Sequence, residues 1–295
     1  MTRIRLLLLT ILVSLVAAGV ATSLGTGAAT DTRIDLVAYS TPRDAFAKII
    51  PAFQATKAGE GASFSQSYGG SGEQARAVVA GLNADVVDLS LQPDVGVLVD
   101  AGIVPRNWNA NAYRGFVTRS VVVFVLRDGN PKRIRTWDDL LKKDVDVVTP
   151  NPFTSGGARW NVMAAYGAYL KATRSPKRAT AKLTQLFHNV SVQDKSAREA
   201  LNTFLAGKGD VLLTYENEAI LARQKNQPVQ YVIPKATILI ENPLAATKGA
   251  SPAARAFRDF LYTPPAQRIF AQTGYRPVVQ SVARGEVVRE VAVLD

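Results

Sequence analysis

The chain has 295 residues and no cysteine, and 35 Lys and Arg against 24 Asp and Glu give it a net charge of +11. The missing thiols exclude disulfides, thiolate catalysis and cysteine-ligated zinc, so the fold rests on an ordinary hydrophobic core. The basic residues are spread along the chain, and the densest groups, 127–135 and 171–182, lack interleaved aromatics and match no helix-turn-helix or zinc-finger spacing, which argues against a nucleic-acid partner.

The first residues read as an export signal: Met1-Thr2-Arg3-Ile4-Arg5 is a basic start, 6–20 is apolar, and Gly27 and Ala29 are small. Cleavage near Ala29 is expected, and the competing reading is an uncleaved N-terminal anchor, since the apolar run is nearly long enough to span a bilayer. The remaining length allows two lobes or one large α/β domain. No later apolar run is long enough to span a membrane.

From there strands and helices alternate. Residues 34–39 form a β-branched run, and 43–54 carry apolar residues at helical spacing. A strand is predicted at 63–67, a helix at 73–82, a strand at 84–91 and a buried strand at 121–126. Thr136 and Asp139 make a capping box for a short helix. A strand at 145–149 precedes helices at 159–171 and 177–187, after which strand 190–193 runs into helix 195–201 and strand 210–215 into helix 216–224. Ser40, Ser71, Ser155, Ala197 and Tyr215 mark the strand-to-helix junctions, the side of an α/β sheet where ligands bind.

Two of these junctions are rich in glycine and serine: Ser67-Tyr68-Gly69-Gly70-Ser71-Gly72-Glu73-Gln74-Ala75 and Pro150-Asn151-Pro152-Phe153-Thr154-Ser155-Gly156-Gly157-Ala158. The first turn of a helix presents N–H groups without internal partners and the positive end of its dipole, glycine lets an oxyanion approach, and serine adds a hydroxyl donor. One Gly-Gly-Ser-Gly is commonly a plain loop; two at matching junctions can surround a small tetrahedral anion with neutral donors alone. Arg159 and Arg198 are expected to brace neighbouring backbone, Trp160 to lie in the core, and His188 and Glu73 to face solvent. There is no Gly-x-Ser-x-Gly elbow, Walker A sequence or His-Glu-x-x-His, so a hydrolase is the weaker reading and no cofactor or metal is expected.

The segments Gly69-Gly70-Ser71-Gly72 with Gln74-Ala75, and Thr149-Pro150-Asn151-Pro152 leading to Ser155-Gly156-Gly157-Ala158-Arg159-Trp160-Asn161, give the chain its resemblance to the periplasmic sulfate-binding proteins of ABC importers. Gly129-Asn130-Pro131-Lys132, Asn202-Thr203-Phe204, Glu216-Asn217-Glu218-Ala219 and Tyr275-Arg276-Pro277 follow in the family's order, and the likeness runs from about Ile34 to Pro277. The resemblance implies a two-lobed periplasmic-binding-protein fold of type II, each lobe a mixed sheet flanked by helices, with two crossover segments near Val117 and Ala236. Residues 30–117 with 236–295 would form lobe 1 and 118–235 lobe 2.

It also implies a dehydrated sulfate held by uncharged donors. Ser71 would supply a hydroxyl, Ser155 a hydroxyl and an amide, and Gly156, Gly157 and Ala197 amides. Ser40 would give its backbone N–H where the family often has aspartate. Tyr215 stands where family members carry a tryptophan; a phenol donates or accepts, whereas an indole only donates. The chain also stops earlier than the family's usual C-terminal helical segment, which would remove part of the first lobe's outer packing. Sulfate carries no proton at neutral pH, so a site of donors alone favours it over phosphate, whose hydrogen needs an acceptor. The expected protein is an exported monomer of the periplasm or cell envelope that closes on sulfate and hands it to membrane permease subunits. Thiosulfate, molybdate and phosphate are the alternative ligands.

Overall fold

The structure, a computed structural model, describes residues 32–283; the export signal and the end of the chain lie outside them. The first βα repeats are β1 (Arg33–Tyr39), α1 (Arg43–Gln54), β2 (Ser63–Gly69), α2 (Ser71–Val79), β3 (Val86–Asp88) and α3 (Gln92–Asp100). The long β4 (Phe116–Arg127) follows, then a 3₁₀ turn at Trp137–Leu141 that starts in the Thr136/Asp139 capping box expected from the sequence. The second set is β5 (Val147–Pro150), α4 (Gly156–Thr173), α5 (Pro176–His188), β6 (Val190–Asp194), α6 (Ala197–Leu205), β7 (Val211–Tyr215) and α7 (Glu216–Gln224). β8 (Val229–Val232), β9 (Leu239–Ala246), α8 (Pro252–Phe260), α9 (Pro264–Gln272), β10 (Arg276–Pro277) and α10 (Gln280–Ala283) complete the described chain.

The strands order as β2-β1-β3-β9-β4-β7-β5-β6, with β8 and β10 both against β4. β1, β2 and β3 run parallel to one another, as do β5, β6 and β7. Two antiparallel strands join these groups: β9 pairs with β3 and with the first half of β4, whose second half pairs with β7 and β8. On β4 the exchange of partner falls between Val121 and Val122, a few residues beyond the crossing expected near Val117.

The inner strands of each parallel group, β1 and β3 in the first and β5 and β7 in the second, are covered on both faces and read as apolar runs, whereas β2 (SFSQSYG) and β6 (VSVQD), at the two ends of the sheet, are polar or alternate. In the first group, Phe46 and Phe53 of α1 meet Phe257 of α8 and Phe270 of α9 on one face, and Ala75, Val95 and Leu98 of α2 and α3 pack on the other. In the second, Ala164, Ala168 and Tyr169 of α4 cover one face, and Leu201, Phe204, Ala219 and Ala222 of α6 and α7 cover the other. The carboxyl ends of both groups face a common cleft.

Candidate functional site

A narrow void, about 140 Å³ counted together with its part open to solvent and too tight in this structure to admit a water molecule, lies where these strand ends meet, lined by Tyr39, Ser40, Gly69, Ser71, Ser90, Ser155, Gly156, Gly157, Ala197 and Tyr215. All seven residues singled out in the sequence are among them, brought together from β1, α2, α4, α6 and β7.

The helix starts show why. The first four N–H groups of a helix, counted from the N-cap, have no partner within it; that of Ser155, the N-cap of α4, is taken by the Asn151 carbonyl at 2.8 Å, so the amide expected of Ser155 is not free. In α2, Gly72 and Glu73 both donate to the carbonyl of Thr154, which comes from the loop before α4. In α4, Ala158 donates to Ser155 Oγ; in α6, Arg198 donates to Ser40 Oγ at 3.3 Å and Glu199 to Ser196 Oγ. The first-turn groups left over in these three helices are the N–H groups of Ser71, Gly156, Gly157 and Ala197, and each of these residues lines the void. Three dipole ends therefore converge on one small, partly open space without a lysine or arginine in its lining.

The glycines are sterically required. A Cβ on Gly156 would lie 2.6 Å from both Cβ and Oγ of Ser90, and one on Gly157 would lie 2.7 Å from Tyr215 Cε2. Any larger residue would force Ser90 or Tyr215 out of its place beside the start of α4.

The structure changes the part expected of Ser71. Its hydroxyl donates to Asp94 Oδ2 at 2.5 Å and accepts the Ser90 N–H at 2.9 Å, so the amide, not the hydroxyl, is the free donor. Asp94 is 2% exposed, and Arg159 Nη1 donates to its other oxygen at 2.8 Å. The carboxylate's charge is thus paired one hydroxyl away from the void. Arg159 also donates to the carbonyl of Pro152, the bracing role its place in the sequence indicated.

Arg198 braces more extensively: it forms two bonds to Glu218, one to Asp44 Oδ2 at 2.6 Å and one to the carbonyl of Thr41. Burial works against its charge, but the hydrogen bonds and charges of Glu218 and Asp44 outweigh it and raise its pKa further above the ordinary value. Trp160, expected in the core, is half-buried, and its indole donates to the carbonyl of Ser90 at 3.0 Å. Glu73 and His188 are exposed, as anticipated.

Tyr215 is 1% exposed, and burial holds its phenol well above the ordinary pKa, so it stays protonated. Its hydroxyl lies 2.6 Å from Ser90 Oγ. Ser90 and Asp94 escaped the sequence reading because the helix that follows β3 was not recognised. Its signal was Pro93 in the first turn with Asp94 beside it, the usual opening of a helix after a strand.

Comparison with known proteins supplies the lineage. The family of bacterial extracellular solute-binding proteins matches residues 34–276. The chain belongs to that family. It is 42% identical over 263 residues to a sulfate-binding protein of Synechococcus elongatus, covering 86% of this chain and 75% of the relative. It is 39% identical to a thiosulfate-binding protein of Escherichia coli, covering 81% and 75%. Among solved structures, the sulfate-binding protein SubI of Mycobacterium tuberculosis superposes with a TM-score of 0.85 at 43% identity, over 88% of this chain and 93% of that one. The fold is the type II periplasmic-binding-protein fold, with two crossover strands in β4 and β9. Among the described residues no helix is long and apolar enough to cross a membrane.

Proposed function

We propose that this chain is an exported sulfate-binding protein, a binding component and not an enzyme, which encloses one dehydrated sulfate and delivers it to the membrane subunits of an ABC importer. The observation that carries the reading is the set of unused first-turn N–H groups of Ser71, Gly156, Gly157 and Ala197 around one void. The backbone N–H of Ser40 and the hydroxyls of Ser155 and Tyr215 complete the donor set. Donors are what a fully deprotonated oxyanion requires, and their oriented dipoles spread its charge over several helices. The named relatives support the same ligand class.

In this reading residues 30–117 with 236–295 form one lobe and 118–235 the other. Ser40 and Ser71 contribute from the first, Ser155, Gly156, Gly157, Ala197 and Tyr215 from the second, and the anion favours the closed form by bridging them. The protein acts as a monomer outside the cytoplasm, with its signal cut near Ala29. Thiosulfate is the second reading, favoured by the thiosulfate-binding relative and by a phenol at position 215.

Calorimetric titration of the chain from Thr30 onward, stripped of anion, with sulfate, thiosulfate, molybdate and phosphate tests this. One-to-one binding with sulfate strongest is expected. Ser155→Ala should weaken it about ten-fold or more, as expected for the loss of a donor to a charged ligand, while Glu73→Ala leaves it unchanged. Equal effects of the two substitutions would sink the site assignment.

A further inference from the structure

Ser90 is fully buried, and its backbone is held from three sides. Its N–H donates to Ser71 Oγ, and its carbonyl accepts from Trp160 Nε1 at 3.0 Å and from Asn242 Nδ2 at 3.3 Å. These bonds come from α2, α4 and β9, so the residue is fixed by both strand groups and the strand between them. Its side chain is left one hydrogen-bonding neighbour, the hydroxyl of Tyr215, and both residues line the void.

Two hydroxyls 2.6 Å apart hold two hydrogens, and only one of them can lie between the oxygens. If Ser90 donates to Tyr215, the phenol hydrogen is released toward the enclosed anion and the pair acts as a donor. If Tyr215 donates to Ser90, the phenol oxygen turns a lone pair toward the anion and the pair acts as an acceptor, with the serine hydrogen left to donate. Exchange between the two arrangements requires only rotation about C–O bonds, and no charge is created.

We propose that Ser90 is a specificity-determining residue of this site. Paired with Tyr215 it lets the site hold a tetrahedral oxyanion that still carries one hydrogen, such as the phosphate dianion, as well as sulfate, which carries none. The proposal rests on the anion-binding reading above. The two dianions have the same charge and differ by one proton, so the remaining amide donors serve both and the hydroxyl pair decides between them. Without Ser90, a Tyr215 that accepts the anion's hydrogen would leave its own hydrogen buried without an acceptor. A Tyr215 that donates to sulfate would lose only a supporting bond.

The test is titration of the stripped chain with sulfate and with inorganic phosphate at mildly alkaline pH, where phosphate is chiefly the singly protonated dianion. The wild type is compared with Ser90→Ala and Ser90→Cys, and a thermal melt of each sample confirms the fold. The wild type is expected to bind both anions, sulfate more tightly. Ser90→Ala should weaken sulfate about three-fold and phosphate about thirty-fold, raising the preference for sulfate about ten-fold, the consequence of one unsatisfied buried donor. Ser90→Cys, whose thiol is a weak donor and acceptor, should fall between them. Sulfate binding without phosphate binding, or an equal loss of both in Ser90→Ala, would overturn the role of Ser90 and leave the sulfate reading intact. Phosphate binding alone, weakened by Ser90→Ala, would overturn the sulfate reading and uphold this one, and binding of neither anion would overturn both.

Discussion

Asp88 ends β3 with 1% exposure, and neither of its carboxylate oxygens meets a hydrogen-bond partner. Burial alone drives its pKa well above the ordinary value, and its charge, when present, also raises the pKa values of the buried phenols Tyr39, Tyr215 and Tyr275. The sign follows from linkage. A carboxyl that binds its proton more tightly in the folded state than in the unfolded one contributes stability below the unfolded pKa, near 4, and that contribution is lost as pH rises through the folded value. Asp88→Asn, a neutral residue of the same shape, should therefore melt higher than the wild type at neutral and alkaline pH. The gap should close as pH falls toward about 4. Melting temperatures across that range decide it, and a constant gap would mean that the carboxyl is not what titrates. Asp88 lies one position before the buried Leu89 and two before Ser90, so the acid sits at the edge of the binding cleft without joining its polar network.

Ser155 and Ser196 cap α4 and α6 in the same way, each accepting the N–H three residues on. Only Ser155 also lines the void. Loss of either cap should cost about 1 kcal/mol, or roughly 2–4 °C in melting temperature for a chain of this size. Ser196→Ala should stop there, because the Ala197 N–H remains in place, whereas Ser155→Ala should also weaken sulfate binding. Melting curves and titrations of the pair separate a helix-capping role from a ligand role, and a large affinity loss in Ser196→Ala would refute the division. The same contrast marks what the sequence disclosed. Most helices were legible: α1 and α7 coincide with the spans predicted from apolar spacing, and α2, α4 and α6, which open on glycine or serine, start within three residues of the predicted positions. That the seven junction residues would come together around one void was legible too, because the unpartnered N–H groups of a helix start are a local property of the chain. α3 was not legible: a nine-residue helix of weak amphipathicity, it follows the three-residue β3 directly. Ser90 and Asp94 were missed with it. The donation by Ser71 to Asp94 joins residues 23 positions apart, and no spacing rule reaches that far.

Several bonds tie the first strand group to the second around the void. The Thr154 carbonyl caps α2, Arg159 pairs with Asp94, Trp160 donates to the Ser90 carbonyl, and Asp44 receives both Arg198 and Lys225, each at 2.6 Å. Asp44 is the member best suited to measuring what these ties contribute to closure. Its removal leaves Arg198 in its two-bond pairing with Glu218, so no buried charge loses its partner. Arg198→Ala, in contrast, would leave Glu218 charged at 0% side-chain exposure, a change that costs about 3–5 kcal/mol and confounds any binding result with unfolding. If closure on the anion draws on these ties, Asp44→Asn lowers the population of the closed form. Sulfate should then bind about three- to ten-fold more weakly, with the change mostly in the dissociation rate, since the donors around the anion are untouched. Salt offers a second readout. Asp44 is partly exposed, so added salt should weaken sulfate binding more in the wild type than in Asp44→Asn. Burial favours the neutral form of Asp44, but hydrogen bonds from Lys225 and Arg198 prevail and lower its pKa. Its contribution is therefore present above the unfolded value, near 4, and is lost only as pH falls through the lower folded one. Sulfate affinity should accordingly stay level from neutral pH down to about 5 in both proteins, the gap between them narrowing only in stronger acid. Stopped-flow release rates that are equal in the wild type and Asp44→Asn would show that the tie holds the fold without gating the ligand.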